Sequence, residues 1–165
     1  MKTRHFLLAG FAFALALAGC HSGDTLSVGA LPIDRITPFS GQPVFVSGLS
    51  QPLRMVIRDE ATFSKVWTQA FGGMSPIPPL PTIDFRTQQV VVVALGSRAT
   101  GGYRITVESA VADEHDVVIG VDAVSPGSGC GVPQMITAPA DFVAIPISSR
   151  LVRFEDRATV HDCGD

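Results

Sequence analysis

Cys130 is the residue whose surroundings most invite a chemical role. It stands inside Gly127-Ser128-Gly129-Cys130-Gly131, small residues around a nucleophile type. A nucleophile elbow, however, runs Gly-x-Ser-x-Gly out of a strand and into a helix. Here Pro133 follows soon after and no helical pattern begins. A thiol nucleophile also needs a base within hydrogen-bond reach. His115 lies in the polar run Asp113-Glu114-His115-Asp116 and His161 near the tail, and neither is placed for that work. Cys130, His161, Asp162 and Cys163 are acceptable zinc ligand types, but His-x-Cys is not a usual zinc spacing and no Cys-x-x-Cys occurs. The expectation is a protein that is not an enzyme, with no catalytic residue, no metal and no cofactor.

Gly96-Ser97-Arg98-Ala99-Thr100-Gly101-Gly102-Tyr103 has the glycine content of a phosphate loop. Such a loop needs a Lys after the glycines and a helix behind it; both are missing. Two readings stay open. Thr100, Gly101, Gly102 and Tyr103 form a tight turn, the glycines taking positive φ and Tyr103 opening the next strand, or they form a partner-binding loop. The carboxylates Asp84, Glu108, Asp113, Glu114, Asp116 and Asp122 show no spacing that separates them from an ordinary polar surface.

The N-terminus carries its own chemistry. Met1-Lys2-Thr3-Arg4 is a short basic segment, and Phe6 to Ala18 is apolar except for Gly10. This is shorter than the ~20 residues that span a bilayer, and it has the form of a secretory signal. It ends Leu17-Ala18-Gly19-Cys20, which resembles the lipobox of bacterial lipoproteins. That resemblance implies removal of residues 1–19 and lipid on the thiol and new amino terminus of Cys20; several chains anchor firmly where one does not. His21, in place of Asp, implies sorting to the outer membrane, facing the periplasm or the cell surface. In such a compartment Cys130 and Cys163 are expected to form a disulfide. It would close a loop of ~33 residues and contribute roughly 3–4 kcal/mol on the chain-entropy account. A metal site and free thiols are the alternatives.

The chain has 165 residues, 46% hydrophobic and 16% charged. That composition excludes disorder throughout. The net charge of −3 becomes −5 without Lys2 and Arg4. A nucleic-acid partner is excluded, because phosphate neutralisation needs a basic surface. The mature length of about 146 residues fits one domain.

Several elements are legible. Residues 20–41 are expected to be a tether, and 42–165 a single domain. Pro43 to Ser47 and Leu53 to Arg58 are strand-like. Phe63, Val66, Trp67, Ala70 and Phe71 share one helix face, with Asp59 as N-cap and Gly72-Gly73 as the stop. Trp67 is expected to anchor the core. Pro76, Pro78, Pro79 and Pro81 stiffen the loop Met74–Pro81. Gln89 to Leu95 is a strand buried on both faces. Tyr103 to Glu108 and Val117 to Val124 form a hairpin about the Asp113–Asp116 turn, and Phe142 to Ile147 and Leu151 to Phe154 are further strands. One helix near residues 60–71 with six or seven strands predicts an α+β fold, the helix packed on an antiparallel sheet.

From about residue 54 onward the order of features resembles the C-terminal domain of the PrcB family, the protease complex subunit lipoproteins. The carriers are Thr82-Ile83-Asp84-Phe85, the Val90–Leu95 strand, Leu95-Gly96 and Thr100-Gly101-Gly102-Tyr103. The helix with Phe63, Val66 and Trp67 also corresponds, as does the stretch from Pro139 to Phe142-Val143-Ala144-Ile145. The resemblance implies an envelope lipoprotein whose domain binds another protein, as an accessory subunit beside a peptidase. The Gly127–Val132 segment has no counterpart in the pattern. Thr100 to Tyr103 is also similar to a loop of chagasin-type peptidase inhibitors, though no Arg-Pro-Trp loop is present. That likeness implies the alternative of an inhibitor acting through the Thr100–Tyr103 loop.

Overall fold

The run Val90-Val91-Val92-Val93-Ala94 has no exposed residue, because the strand that holds it lies between two cores. In the computed structural model, which describes residues 27–39 and 41–163, this strand is β4 (Gln88–Leu95). The others are β1 (Gly29–Ala30), β2 (Asp34–Arg35), β3 (Pro52–Ile57), β5 (Arg104–Ala112), β6 (Asp116–Pro126), β7 (Ala140–Pro146) and β8 (Leu151–His161). The helix is α1 (Glu60–Phe71). The expected leader, residues 1–19, and Cys20 lie outside the described residues.

The fold is α+β, as expected, but its strands form two sheets rather than one. Their orders are β1-β5-β6-β8 and β2-β7-β4-β3. Even-numbered Val90, Val92, Ala94, Ala140 and Phe142 face α1. Odd-numbered Val91, Val93, Val143 and Ile145 face the other sheet, against Ile105, Val107, Ile119 and Val121. The layers are therefore helix, central sheet and outer sheet. The period of two explains how one continuous apolar run serves both interfaces.

α1 begins where expected, with Asp59 accepting from the Thr62 N–H at 2.8 Å. Its buried face is Phe63, Val66, Trp67, Ala70 and Phe71. Trp67 is 2% exposed and packs edge-on to Phe63 and Phe142, with ring centres 5.7 and 5.6 Å away.

Three expectations need correction. The segment read as a tether is built into the domain from Gly29 on. β1 pairs with β5 (Gly29 opposite Ala112), and β2 pairs with β7 (Arg35 opposite Val143). Leu31 and Ile33 pack against the core between the sheets, and Ile36 against the core under the helix. Pro43 to Ser47 is not a full strand; Val44 and Val46 make single bridges to Ala140 and Ala138. The sheets are not wholly antiparallel, since β8 runs parallel to β6, from Asp116 opposite Leu151 to Pro126 opposite His161. Charges suit that pairing: Arg157 bonds Asp122, its register partner, at 3.1 Å, and Arg153, opposite Val118, reaches diagonally to Asp116 at 3.0 Å.

The two sheets are joined by polar groups at two places: the Arg54–Asp156 ion pair between β3 and β8, 2.9 Å, and the Arg35–Asp141 pair of the central sheet, which reaches across to β5. Asp141, 0% exposed, accepts from Arg35 Nε at 2.9 Å and Nη2 at 3.0 Å. It also accepts from the Val107 N–H across the sheet gap at 2.9 Å, and Arg35 Nη2 donates to the Val107 carbonyl at 3.0 Å. β5 bulges between Val107 and Ser109, which releases these backbone groups from the ladder. The Asp141 hydrogen bond raises the Arg35 guanidinium above its ordinary value.

Removing one partner of a buried pair strands the other charge. Arg35→Ala should therefore lower the unfolding free energy by about 3 kcal/mol, read from urea midpoints. A loss below ~1 kcal/mol would mean that the pair behaves as a surface ion pair.

Three carboxyls sit below their ordinary value of 3.8: Asp59 through the Thr62 N–H, Asp84 through the Arg86 side chain, and Asp113 through the Asp116 N–H. A depressed folded value means that stability is present above 3.8 and is lost as the pH falls below it. Asn keeps the cap but does not titrate. Asp59→Asn should lose stability less steeply than the wild type between about pH 4 and 2, by denaturation at stepped pH.

Candidate functional site

The Thr100–Tyr103 turn follows β4 and opens β5, so the sheets place it at one end of the domain. The N-terminal segment enters at the other end, where Gly29 pairs with Ala112 at the close of β5. β5 has nine residues and separates the two ends by roughly 25–30 Å. The Thr100–Tyr103 end is thus distal to residue 27, the first described.

This turn is sewn to the segment between β6 and β7. The Gly101 N–H donates to the Pro133 carbonyl at 2.8 Å, and Thr137 Oγ1 donates to the Thr100 carbonyl at 2.8 Å. Arg98 and Thr137 exchange backbone bonds at 2.7 and 3.0 Å. Gly102 has φ +85°, and a Cβ there would meet Val132 Cγ1 at 2.8 Å and Pro126 Cβ at 2.9 Å. Tyr103 packs toward the core between the sheets, with the Arg98 guanidinium 5.6 Å from its ring centre. These contacts describe a tied-down turn, with positive φ at Gly102 but, against expectation, not at Gly101; a turn of this kind is compatible with the partner-binding reading. The loop does not project as a free finger.

The expected disulfide is present between Cys130 and Cys163, 33 residues apart. It ties the 127–136 loop to the end of β8, whose side chains are mostly exposed. Cys130 therefore holds no thiol. His115 and Asp113 lie in the exposed turn between β5 and β6, where Asp113 accepts from the His115 and Asp116 N–H groups at 2.8 and 2.7 Å. No group of His, Cys, Asp and Glu suited to a metal is found among the described residues.

Apolar surface gathers at the distal end. Ile136 is 72% exposed, Met135 51%, Phe45 62% and Val46 44%. The Ala138 N–H donates to the Phe45 carbonyl at 3.2 Å, which brings the two segments side by side. Sequence reasoning missed this surface. Phe45 and Val46 read as part of a strand, but of this stretch only Val44 is buried, and the bridges are those of Val44 and Val46.

The Met74–Pro81 loop forms a second feature, on the helix side. With Pro38, Phe39 and Trp67 it lines an open groove of ≈ 780 Å³. The Trp67 indole N–H donates to the Pro78 carbonyl at 3.1 Å, so the core tryptophan also fastens the loop.

The fold and this end define a disulfide-strapped, two-sheet α+β domain in which a glycine turn, a loop and a bridged segment form one surface. Residues 89–146 match the family model described as PrcB C-terminal. The matched span runs from β4 to β7 and includes the Gly96–Tyr103 turn, Cys130 and Asp141. It is narrower than the resemblance in the sequence, since α1 and Thr82–Phe85 lie outside it. No curated protein and no solved structure matches the chain.

The turn can be tested separately from any partner. Gly102→Ala should destabilise the fold by roughly 1–3 kcal/mol, because it combines a left-handed φ with a collision. Gly129→Ala, in the same region with nothing within 4 Å, should leave the thermal midpoint within about 1 °C of wild type. Equal effects at both sites would overturn the turn reading.

Proposed function

We propose that the chain is a lipid-anchored protein of the bacterial envelope, held through Cys20, whose domain acts without catalysis as the accessory subunit of a protease complex. The observation that carries this reading is the match of residues 89–146 to the PrcB C-terminal family, a family associated with protease complexes. Two further features support it. The Leu17-Ala18-Gly19-Cys20 sequence supplies the attachment point that the reading needs. The distal end presents Phe45, Val46, Met135 and Ile136 away from that attachment. Exposed apolar groups that cluster rather than scatter are the usual mark of a protein contact.

The peptidase would dock on this end, with Thr100–Tyr103 acting as its rigid floor. The Met74–Pro81 groove is a secondary contact. A role as a peptidase inhibitor would need the Thr100–Tyr103 loop to insert into a cleft, and its bonds to Pro133 and Thr137 work against that.

The test is affinity purification of the tagged full chain from native envelopes after mild crosslinking, read by mass spectrometry. A peptidase should co-purify at constant stoichiometry. The pair Phe45→Asp and Ile136→Asp should remove it while the thermal midpoint stays unchanged, since both side chains are already in water. Recovery of the lipoprotein without a peptidase would overturn the reading.

A further inference from the structure

Among the described residues, β8 is an eleven-residue strand with a neighbour on one side only. Its pairing with β6 has no register break. The His161 carbonyl accepts from the Gly127 N–H at 2.9 Å, on the β6 side. Backbone groups alternate in direction along a strand, so the odd-numbered residues bond β6. The N–H and C=O groups of Val152, Phe154, Asp156, Ala158 and Val160 then point out of the sheet. Such a row is a template for another strand.

We propose that β8 of a second copy of this chain occupies that edge, antiparallel about a two-fold axis through Asp156. The outer sheets of two copies would then join into one. Asp156 is the midpoint of Leu151–His161, so this register overlaps the whole strand and pairs all five outward residues. Charges agree with it: Glu155 falls opposite Arg157 of the second copy, and the symmetry repeats the pair. Arg157 holds Asp122 yet keeps 72% of its side chain exposed, so it has a face left for Glu155. Apolar groups agree as well. Val160, 67% exposed, falls opposite Val152 of the second copy, and Ala158 opposite Phe154. The like pair at the axis is offset by Arg54, which lies 2.9 Å from Asp156 within each copy. An axis at Phe154 would pair only residues 151–157 and leave Val160 uncovered.

The full lipidated chain carrying Asp156→Cys tests this on non-reducing gels. Cα atoms facing each other in a hydrogen-bonded pair lie about 5.5 Å apart, within reach of a disulfide. Arg153→Cys would face Thr159 instead, with its own copy roughly 20 Å away. The native cysteines Cys130 and Cys163 are already bridged to each other. Asp156→Cys is expected to give a covalent dimer and Arg153→Cys none. Adding Glu155→Arg to Asp156→Cys should abolish the dimer, and adding Arg157→Glu as well should restore it. A monomeric Asp156→Cys chain with an unchanged melting temperature would overturn the proposal, as would equal linking by both cysteine variants. Indifference to the charge swap would overturn it too.

Discussion

Asp141 carries a charge with no exposed surface, and the arrangement of the two sheets follows from how that charge is satisfied. Its partner, Arg35, comes from a two-residue strand at the sheet edge, 106 positions away in sequence. Between them they occupy the Val107 N–H and carbonyl that the β5 bulge sets free. Four polar groups that would each be costly to bury alone are made complete by one another. The purely apolar contacts between the sheets are tolerant of sliding, whereas this network has one geometry. Together with the Arg54–Asp156 pair between β3 and β8 it fixes the relative position of the sheets, and it draws the N-terminal segment into the fold.

The central sheet then has two faces to cover. The outer sheet takes one and α1 the other, with Trp67, Phe71 and Phe142 packed at tilted and edge-on angles between helix and strands. The Met74–Pro81 loop closes over the helix through the Trp67–Pro78 bond. The matched family span contains β4 and β7, the two strands at the middle of this layer. The part of the chain that carries the family likeness is thus the part around which the remainder is laid.

At the distal end the constraint is different in kind. β8 contributes little to the core, and its ion pairs with β6 are exposed and worth at most ~1 kcal/mol each. The Cys130–Cys163 bridge is a larger contribution, roughly 3–4 kcal/mol for its loop length on the entropic account. It holds the end of β8 against the 127–136 loop, and that loop in turn bears on Gly101 and Gly102. A rigid end follows, and apolar side chains displayed on a rigid end lose little entropy when covered.

Much of this was legible in the amino acids. The α1 face, its Asp59 cap, the buried β4 strand and the β5–β6 hairpin all follow from periods of 3.6 and 2 and from turn residues. The disulfide followed because two cysteines remained once Cys20 was assigned to lipid. The likeness to the PrcB family followed from short motifs at fixed spacing. Apart from the disulfide, which joins residues 33 apart, these are short-range signals, set by the backbone conformation of a few neighbouring residues. The tertiary structure alone decided the rest: the incorporation of residues 29–36, the division into two sheets, the parallel course of β8 and the outward position of Phe45 and Ile136. Each depends on a contact between distant segments, as Arg35 with Asp141 and Val46 with Ala138. Gly, Pro and polar residues scattered through 20–41 look the same in a tether as in a segment stitched to both sheets, because the pairing energy lies in strands they meet only after folding.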